Sequence, residues 1–250
     1  MISPIFNAKR YLAEMLDSVA ALTISYEHLV LDGGSDDGTV AMLESRDDRR
    51  LRWVSEPDRG QTHAVNKGLR MSSGDLINWV NGDNAYLPGA MERAAALLDR
   101  HPDVDAVFGG IDIVDEHGRV RRRYIPPLYS WQRYLFMGDY IPTETIVFRR
   151  ALLDRVPALD ERFVDAADYD FFLRLLHRRK VVRIDEPLLR YRYHPGSKTA
   201  RDPWRAQAEH MVIRRQWARG HRDVVIMEGF DRAKRAILPR ISPWPRPYAL

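Results

Sequence analysis

The sequence contains no cysteine among its 250 residues. This absence excludes a disulfide framework, a thiolate metal site and a cysteine nucleophile, so a metal could bind only to Asp, Glu or His. Long hydrophobic runs are also missing: no apolar stretch approaches the roughly 20 residues of a membrane span, and the first residues lack the apolar core of a signal peptide. We therefore expect a soluble, cytoplasmic protein.

Common nucleotide-binding and hydrolase signatures are absent as well. The glycine-rich segment 32–38 does not follow G-x-G-x-x-G, and the chain contains no G-x-x-x-x-G-K-[ST], G-x-S-x-G or H-E-x-x-H. The sequence therefore gives no support to a dinucleotide-binding Rossmann enzyme, a P-loop NTPase, a hydrolase with a serine elbow or a zinc protease.

The chain does contain 45% apolar residues, enough for a sizeable core, and an uneven charge. The net charge is +4, but residues 200–250 hold 11 Lys and Arg against 5 Asp and Glu, about +6, which leaves about −2 for the remainder. A solvated helix face explains this basic segment most simply. The alternative is peripheral contact with an anionic membrane, with Trp204, Trp217 and Trp244 as interfacial anchors.

Strand and helix patterns alternate through the first hundred residues. Strands are predicted over 28–31, 51–55 and 76–80, and helices over 11–22, 39–46, 62–71 and 89–100, with Asn7 as the N-cap of the first helix. This order indicates an α/β fold with a Rossmann-like, mostly parallel sheet and helices on both faces. The second half is less regular, with predicted strands over 107–114, 119–124, 145–148, 181–184 and 188–193 and helices over 130–137, 169–177 and 203–219.

Polar side chains follow three successive predicted strands, in the segments 32–38, 56–61 and 81–84. Ligands of open α/β sheets bind beyond the carboxyl ends of the strands, so these loops form the predicted site. Asp83, beside the permissive Gly82, suits Mg²⁺ or Mn²⁺, which take few protein ligands beside substrate phosphates. The alternative is that Asp83 and Asn84 only shape a turn.

Asp168 and Asp170 stand at the start of a predicted amphipathic helix. An acidic residue there can cap the helix, or it can act as a general base if it faces the loops. The spacing of two residues places them on different faces, so only one should point into the site. His194 follows a predicted strand, where it is either a site residue or an ordinary exposed histidine.

Seven segments, taken in order, resemble family 2 glycosyltransferases, which are inverting enzymes with the GT-A fold that use nucleotide-diphosphate sugars. The resemblance covers about residues 2–199 and is carried by these segments: Pro4-Ile5-Phe6-Asn7, His28 through Thr39, Glu56 through Gly60, Asn66-Lys67-Gly68, Asn81 through Asn84, Asp168 through Arg174, and His194 through Lys198.

The resemblance implies a role for each matching residue. Asp168 would be the catalytic base, with Asp170 as its substitute, and the metal, Mn²⁺ or Mg²⁺, would bind Asp83 with help from His194. The remaining matches would contact the donor nucleotide and its diphosphate: Pro4, Phe6, Asp32, Gly33, Asp58, Arg59, Asn66, Lys67, Asn81, Gly82, Asp83 and Lys198.

The sequence departs from the family pattern at three places. Asp32-Gly33 stands where the family commonly has Asp-Asp, Asn81 replaces the first Asp of the D-x-D motif, and Ala167 replaces the acidic neighbour of Asp168. We expect Asp83 to carry most of the metal binding, because Asn81 is uncharged.

We therefore divide the chain into a GT-A domain over 1–199 and a C-terminal helix with a basic, proline-rich tail over 200–250. The domain has a nucleotide-binding half (1–105) and an acceptor-binding half (106–199). The predicted activity is metal-assisted, inverting transfer from a nucleotide-diphosphate sugar, with UDP favoured, to a glycan or polyprenyl-linked acceptor; no nucleic-acid partner is expected. The alternatives are a non-catalytic nucleotide- or glycan-binding protein of this fold and, with less support, a nucleotidyltransferase.

The aromatic-rich segment 124–144 could stack on a sugar or a lipid carrier of the acceptor, or serve ordinary packing. Its rings include those of Tyr129, Trp131, Tyr134, Phe136 and Tyr140. The family resemblance also implies a bacterial cell-envelope polysaccharide pathway at the inner face of the membrane.

Overall fold

A computed structural model describes residues 1–197, 203–218 and 229 of the chain. The elements of the first half are β1 (Ile2–Ile5), α1 (Lys9–Ala20), β2 (His28–Asp32), α2 (Thr39–Glu44), β3 (Leu51–Ser55), α3 (Gln61–Met71), β4 (Leu76–Ile77), β5 (Ala85–Tyr86) and α4 (Ala90–Arg100). Those of the second half are β6 (Ala106–Val114), β7 (Val120–Tyr124), α5 (Trp131–Met137), β8 (Val147–Arg149), α6 (Ala167–Leu175), β9 (Val181–Arg192) and α7 (Pro203–Trp217), with 3-10 turns at Thr143–Thr145 and Arg150–Arg155.

The first sheet contains β1, β2 and β3, which are all parallel. Strands β1 and β2 are buried along their whole length, as expected of parallel strands covered on both faces. A parallel bridge between Ile2 and Trp79 joins this sheet to the stretch after β4. The carboxyl ends of these strands therefore meet along one edge of the molecule.

The second sheet has the order β4-β8-β6-β9-β5, with β7 also paired to β6. Only the β6–β9 pair is parallel, and the other pairs are antiparallel. The predicted α/β class is confirmed, and the parallel character belongs to the first sheet. One antiparallel pair of the second sheet has a local origin, because β7 returns from β6 through a tight turn, which an antiparallel pair allows.

Strand β9 is one element where the sequence predicted two strands, over 181–184 and 188–193. The register of β9 against β6 shifts around Gly110, which faces Pro187. Proline has no N–H to donate to a sheet, so it lies at an irregularity and interrupts the pattern without ending the strand.

The prediction that Asn7 caps α1 was wrong. Ala8 precedes the helix and offers no side-chain cap; the Asp37 carboxylate, from the loop after β2, accepts from the N–H of the first helical residue, Lys9, at 3.0 Å. Asn7 adopts a φ of 50°, and its Oδ1 atom accepts a hydrogen bond from the backbone N–H of Asp36 at 3.1 Å. Asparagine tolerates this left-handed conformation, and here it ties the end of β1 to the loop after β2.

Helix α7 packs against the second half of the chain. Ile213 is fully buried, Arg214 is 1% exposed beside Tyr169, and the Trp217 ring contacts the Trp131 ring at 5.1 Å. The aromatic segment is used largely for packing, since Tyr134 is buried and the Trp131 Nε1 atom donates to the carbonyl of Leu173. Among the described residues, no helix is both long and apolar enough to cross a membrane.

Candidate active site

The loop after β2 is organised by Asp32. This carboxylate is 3% exposed, and its Oδ2 atom accepts from the Ser35 N–H at 3.0 Å and the Ser55 hydroxyl at 2.6 Å. The Gly34 N–H and the Ser35 hydroxyl donate to the same carboxylate. Asp32 therefore fixes the backbone of the loop that was expected to contact the nucleoside.

A recess lies between the ends of β2 and β3 and the start of α3. It is lined by Leu31, Asp32, Val54, Glu56, Asp58, His63, Ala64 and Lys67. The Asp58 carboxylate lies beside Gly33, where an added Cβ would stand 3.1 Å from Oδ2. Lys67 donates to Glu56 at 2.5 Å, and this ammonium lowers the pKa of Glu56. The recess thus presents both acidic and cationic groups.

Two other residues expected near the nucleotide are tied to the second half of the chain. Arg59, which is exposed, forms an ion pair with Glu161 at 2.8 Å. Asn66 is buried; its Nδ2 donates to the Leu159 carbonyl, and its Oδ1 accepts from the Leu159 N–H, both at 2.9 Å. The geometry of Asn66 fits a structural tether better than the nucleotide contact that the resemblance implied, because both ends of its amide are engaged.

The ends of β1 and of the β4 stretch face each other closely. Pro4 is buried within β1, whereas Phe6, two residues later, is 65% exposed. A Cβ at Gly82 would lie 2.9 Å from the Ile5 side chain and 3.0 Å from Ala8. Only glycine fits this approach, which brings the loop of residues 81–84 against the β1–α1 junction.

Asp83 and His194 are brought together although 111 residues separate them in the chain. The Oδ2 atom of Asp83 lies 3.2 Å from His194 Nε2, and the His194 ring lies 5.0 Å from the Tyr11 ring. An oxygen ligand beside an imidazole fits a divalent cation whose remaining positions are taken by phosphate oxygens and water. No cluster of three or more candidate metal ligands occurs among the described residues.

Glu144 lies beneath this loop, and no motif in the sequence predicted it. It is 5% exposed and accepts hydrogen bonds from Asn81 and Asn84. Burial, followed by the neighbouring charge of Asp83, raises the pKa of Glu144 to about 8. Glutamate at a short turn before a strand carries no sequence signal, so only the tertiary fold reveals this contact.

Asp168 and Asp170 occupy different environments at the start of α6, as their spacing predicted. The Oδ2 atom of Asp168 accepts from the Thr143 hydroxyl at 2.9 Å, and Thr143 is the neighbour of Glu144. Asp170 is buried and forms an ion pair with Arg174 at 2.8 Å, an i,i+4 pair within the helix. This pairing favours a structural role for Asp170, so Asp168 is the better candidate base.

The approach to α6 is held by the C-terminal helix. Glu209 of α7 accepts from the backbone N–H groups of Val164 at 3.1 Å and of Asp165 and Ala166 at 2.8 Å. A carboxylate that caps free amides at a helix start stabilises that start. Glu209 therefore helps to place Asp168, although it lies outside the predicted GT-A domain.

Arg192 is a further site neighbour that the motifs did not indicate. Its guanidinium is 3% exposed, donates to the Asp83 carbonyl at 3.2 Å, pairs with Glu14 and lies over the Tyr11 ring. A buried arginine at the end of a strand is visible only in the fold. Lys198, the remaining predicted ligand, lies outside the described residues.

Comparison with solved structures identifies the fold class. Over 99% of this chain and 77% of the other, the fold matches S. aureus TarS 1–349 in complex with UDP-GlcNAc, with a TM-score of 0.71 and 20% identity. The mannosyltransferase PcManGT from Pyrobaculum calidifontis, in complex with GDP-Man and Mn²⁺, matches over 99% and 76% of the two chains, with a TM-score of 0.63 and 18% identity. The chain thus has the GT-A fold.

The sequence comparison gives the family. The model described as "Glycosyl transferase family 2" matches residues 1–159, and the chain belongs to this family. An uncharacterized glycosyltransferase of Mycobacterium tuberculosis is 32% identical over 150 residues, which are 59% of this chain and 56% of the relative. One from Rickettsia felis is 24% identical, over 79% and 35%. The chain spans between about a third and just over half the length of these relatives.

Proposed function

We propose that this protein transfers a sugar from a nucleotide-diphosphate sugar, with UDP as the favoured nucleotide, to a hydroxyl of a glycan or polyprenyl-linked acceptor. The observation that carries the proposal is the short turn Thr143–Thr145, where Thr143 contacts Asp168 and Glu144 contacts the loop of Asp83. The candidate base, Asp168, and the loop of the candidate diphosphate-binding residue, Asp83, are therefore linked through the adjacent residues 143 and 144. Membership of the family supports the same activity.

The chemistry is a single displacement with inversion of configuration. Asp168 takes the proton of the acceptor hydroxyl as its oxygen forms a bond to the anomeric carbon, and the bond from that carbon to the diphosphate oxygen breaks. Thr143 and the N–H of Tyr169, each 2.9 Å from an Asp168 oxygen, orient the carboxylate. These hydrogen bonds orient the base before an acceptor binds.

The diphosphate end of the site uses Asp83 and His194. These two residues would hold Mn²⁺ or Mg²⁺, and the bound cation would supply positive charge to stabilise the leaving diphosphate. Lys67 lies near the recess that receives the nucleotide, and its pairing with Glu56 keeps the ammonium oriented there. Mn²⁺ in the complexes of PcManGT and of a Mycobacterium tuberculosis glucosyl-3-phosphoglycerate synthase supports the use of a divalent cation.

A donor panel tests the function. Melting of the protein is followed with UDP-, GDP-, CDP- and dTDP-sugars, with and without Mn²⁺, and release of the nucleoside diphosphate is measured beside it. We expect a Mn²⁺-dependent rise in the melting midpoint with one nucleotide, and slow release from its sugar. Stabilisation without release, in the presence of glycan and polyprenyl-phosphate acceptors, would favour the non-catalytic alternative, and no stabilisation at all would contradict both.

Peripheral membrane contact is part of the proposal and rests on the basic composition of segment 200–250. A positively charged segment suits an enzyme whose acceptor is displayed at an anionic lipid surface. Co-sedimentation with phosphatidylglycerol vesicles at low salt should exceed co-sedimentation with neutral phosphatidylcholine vesicles. Equal sedimentation with both would contradict the membrane contact and leave the transfer reaction untouched.

A further inference from the structure

The Glu144 carboxylate receives three hydrogen bonds from one loop. Its Oε2 atom accepts from the Asn81 backbone N–H at 2.9 Å, and its Oε1 atom accepts from Asn81 Nδ2 at 2.7 Å and from Asn84 Nδ2 at 2.8 Å. Asp83 lies between these two asparagines. The position of the Asp83 backbone is therefore set from both sides by one buried side chain.

Each asparagine amide has a further partner at its oxygen end. Asn81 Oδ1 accepts from Gln61 Nε2 at 2.7 Å, and Asn84 Oδ1 accepts from the Arg192 N–H at 2.7 Å. A backbone N–H can only donate, so Arg192 fixes the nitrogen end of Asn84 toward Glu144, whereas the Gln61 amide can present either end and Asn81 is oriented by the acceptor Glu144 itself. Three donors converge on Glu144, so the residue there must offer acceptors only, which a carboxylate does and an amide does not.

From this network we infer that Glu144 is the positioning residue of the Asp83 loop and that it requires an amide, not a carboxylate, at position 81. The inference rests on the proposed function, because it concerns how Asp83 meets the metal and diphosphate. It also accounts for the departure from the D-x-D motif. An aspartate at 81 would place a carboxylate oxygen against Glu144 Oε1, where Asn81 now donates at 2.7 Å.

An aspartate at position 81 would restore the D-x-D motif of the family, and a restored motif is usually expected to improve metal binding. The inference predicts the opposite result here. Asn81→Asp adds a good metal ligand by the family pattern, yet here it sets a half-buried carboxylate against the buried carboxylate of Glu144, and such a pair is repulsive unless it gains a proton. Asn81→Ala removes the amide and adds no charge. If Glu144 positions the loop, Asn81→Asp must therefore be the more damaging of these two substitutions.

The test is a set of matched variants: Asn81→Ala, Asn81→Asp, Glu144→Gln and the double variant Asn81→Asp with Glu144→Gln. Glu186→Gln, at an exposed glutamate paired with Arg93, is the control for the Glu to Gln change. Calorimetry at pH 8.5, above the pKa of about 8 of Glu144, gives the dissociation constant of UDP in the presence of Mn²⁺, and the melting midpoint of each unliganded variant is recorded at the same pH.

We expect UDP binding with Mn²⁺ to weaken a few fold in Asn81→Ala and at least tenfold in Asn81→Asp and in Glu144→Gln. The double variant should bind better than Asn81→Asp alone, because the amide introduced at position 144 can donate to the carboxylate introduced at position 81. Glu186→Gln should bind like the wild type. Binding by Asn81→Asp that equals or exceeds that of Asn81→Ala would overturn the inference.

The unliganded proteins separate this inference from the proposed function. If the wild type binds no nucleotide with Mn²⁺, the proposed function fails, and the order of melting midpoints still tests the contact. A lower midpoint for Asn81→Asp than for Asn81→Ala supports the positioning role of Glu144. An equal or higher midpoint for Asn81→Asp would overturn that role. If Asn81→Asp alone fails to fold, this result counts as a lower midpoint.

Discussion

The loop after β2 and the loop after the β4 stretch both carry an aspartate to the same edge of the molecule, but they are held in different ways. Asp32 is bonded to residues two and three positions later and to Ser55 in the adjacent strand. The loop of Asp83 is held by Glu144, Arg192 and His194, which lie 60 to 111 residues away. The loop of Asp32, which we propose lies at the nucleoside, is thus held locally, and the loop of Asp83, which we propose lies at the diphosphate, is held by residues from distant parts of the chain.

This difference indicates which half of the reaction is sensitive to distant change. The local loop should keep its shape when the second half is altered, because its donors and acceptors come from the first sheet. The Asp83 loop and Asp168 share the turn Thr143–Thr145, so a change in that turn should affect both together. The predictions below distinguish the locally held loop of Asp32 from the loop of Asp83, which distant residues hold.

The largest effect is expected from a change at Asp168, which shares the turn Thr143–Thr145 with the loop of Asp83. Asp168→Asn keeps the size of the side chain and removes its ability to accept a proton, so transfer should fall about 100-fold to 10,000-fold, the usual contribution of a general base. Binding of the donor should change less than threefold, since the amide oxygen introduced at position 168 can still accept from Thr143 and keep the shared turn in place. Transfer rates and calorimetric titration with the donor measure the two. Unchanged transfer would remove Asp168 from the mechanism.

The matching change in the locally held loop after β2 is Asp32→Ala. It leaves the amides and hydroxyls of the β2 loop without their buried acceptor, so the free energy of unfolding should fall by about 3 kcal/mol. Urea denaturation measures this loss. Asp36→Ala in the same loop, at an exposed position, is the control and should cost under about 0.5 kcal/mol. Equal losses in the two variants would show that Asp32 does not organise the loop.

A third prediction concerns the other end of β2, where His28 is buried against the Ser3 hydroxyl at 2.9 Å. Burial lowers the pKa of His28 from 6.5 to about 3, so the native protein keeps this ring neutral. Below about pH 6.5 the unfolded chain binds a proton that the native protein does not, and stability falls by up to about 1.4 kcal/mol per pH unit.

The test compares the pH dependence of the wild type with that of His28→Asn by denaturation between pH 7.5 and pH 4. The wild type should lose stability more steeply than the variant below about pH 6.5, and the two should be parallel above it. Parallel curves over the whole range would mean that His28 titrates normally in the native state.

The smallest effect is expected from the C-terminal helix. Glu209→Ala removes the acceptor of three backbone N–H groups before α6, which should cost about 1 kcal/mol, as for other lost helix caps. Gln216→Ala, at an exposed position of the same helix, is the control and should change the free energy of unfolding by less than about 0.5 kcal/mol. A difference that stays within error between them would contradict the capping role of Glu209.

The difference between local and distant contacts also explains what the sequence could and could not predict. Asp32, Asp58 and Asp83 follow strands whose apolar runs are visible in the sequence, so the edge at which they gather was predictable. Glu144 and Arg192 were missed because a buried charge has no local pattern; its partners come from other elements. The cap predicted at Asn7 was wrong, and the tether formed by Asn66 was not predicted, because asparagine serves caps, left-handed turns and backbone tethers equally well.

The central claim is that Asp83 anchors a metal-assisted nucleotide site, and calorimetry with UDP tests it directly. The account predicts that UDP binds to the wild type with Mn²⁺ present, that binding weakens at least tenfold without Mn²⁺, and that Asp83→Asn abolishes the effect of Mn²⁺. Binding of UDP that is equally tight with and without Mn²⁺, and unchanged in Asp83→Asn, would contradict it.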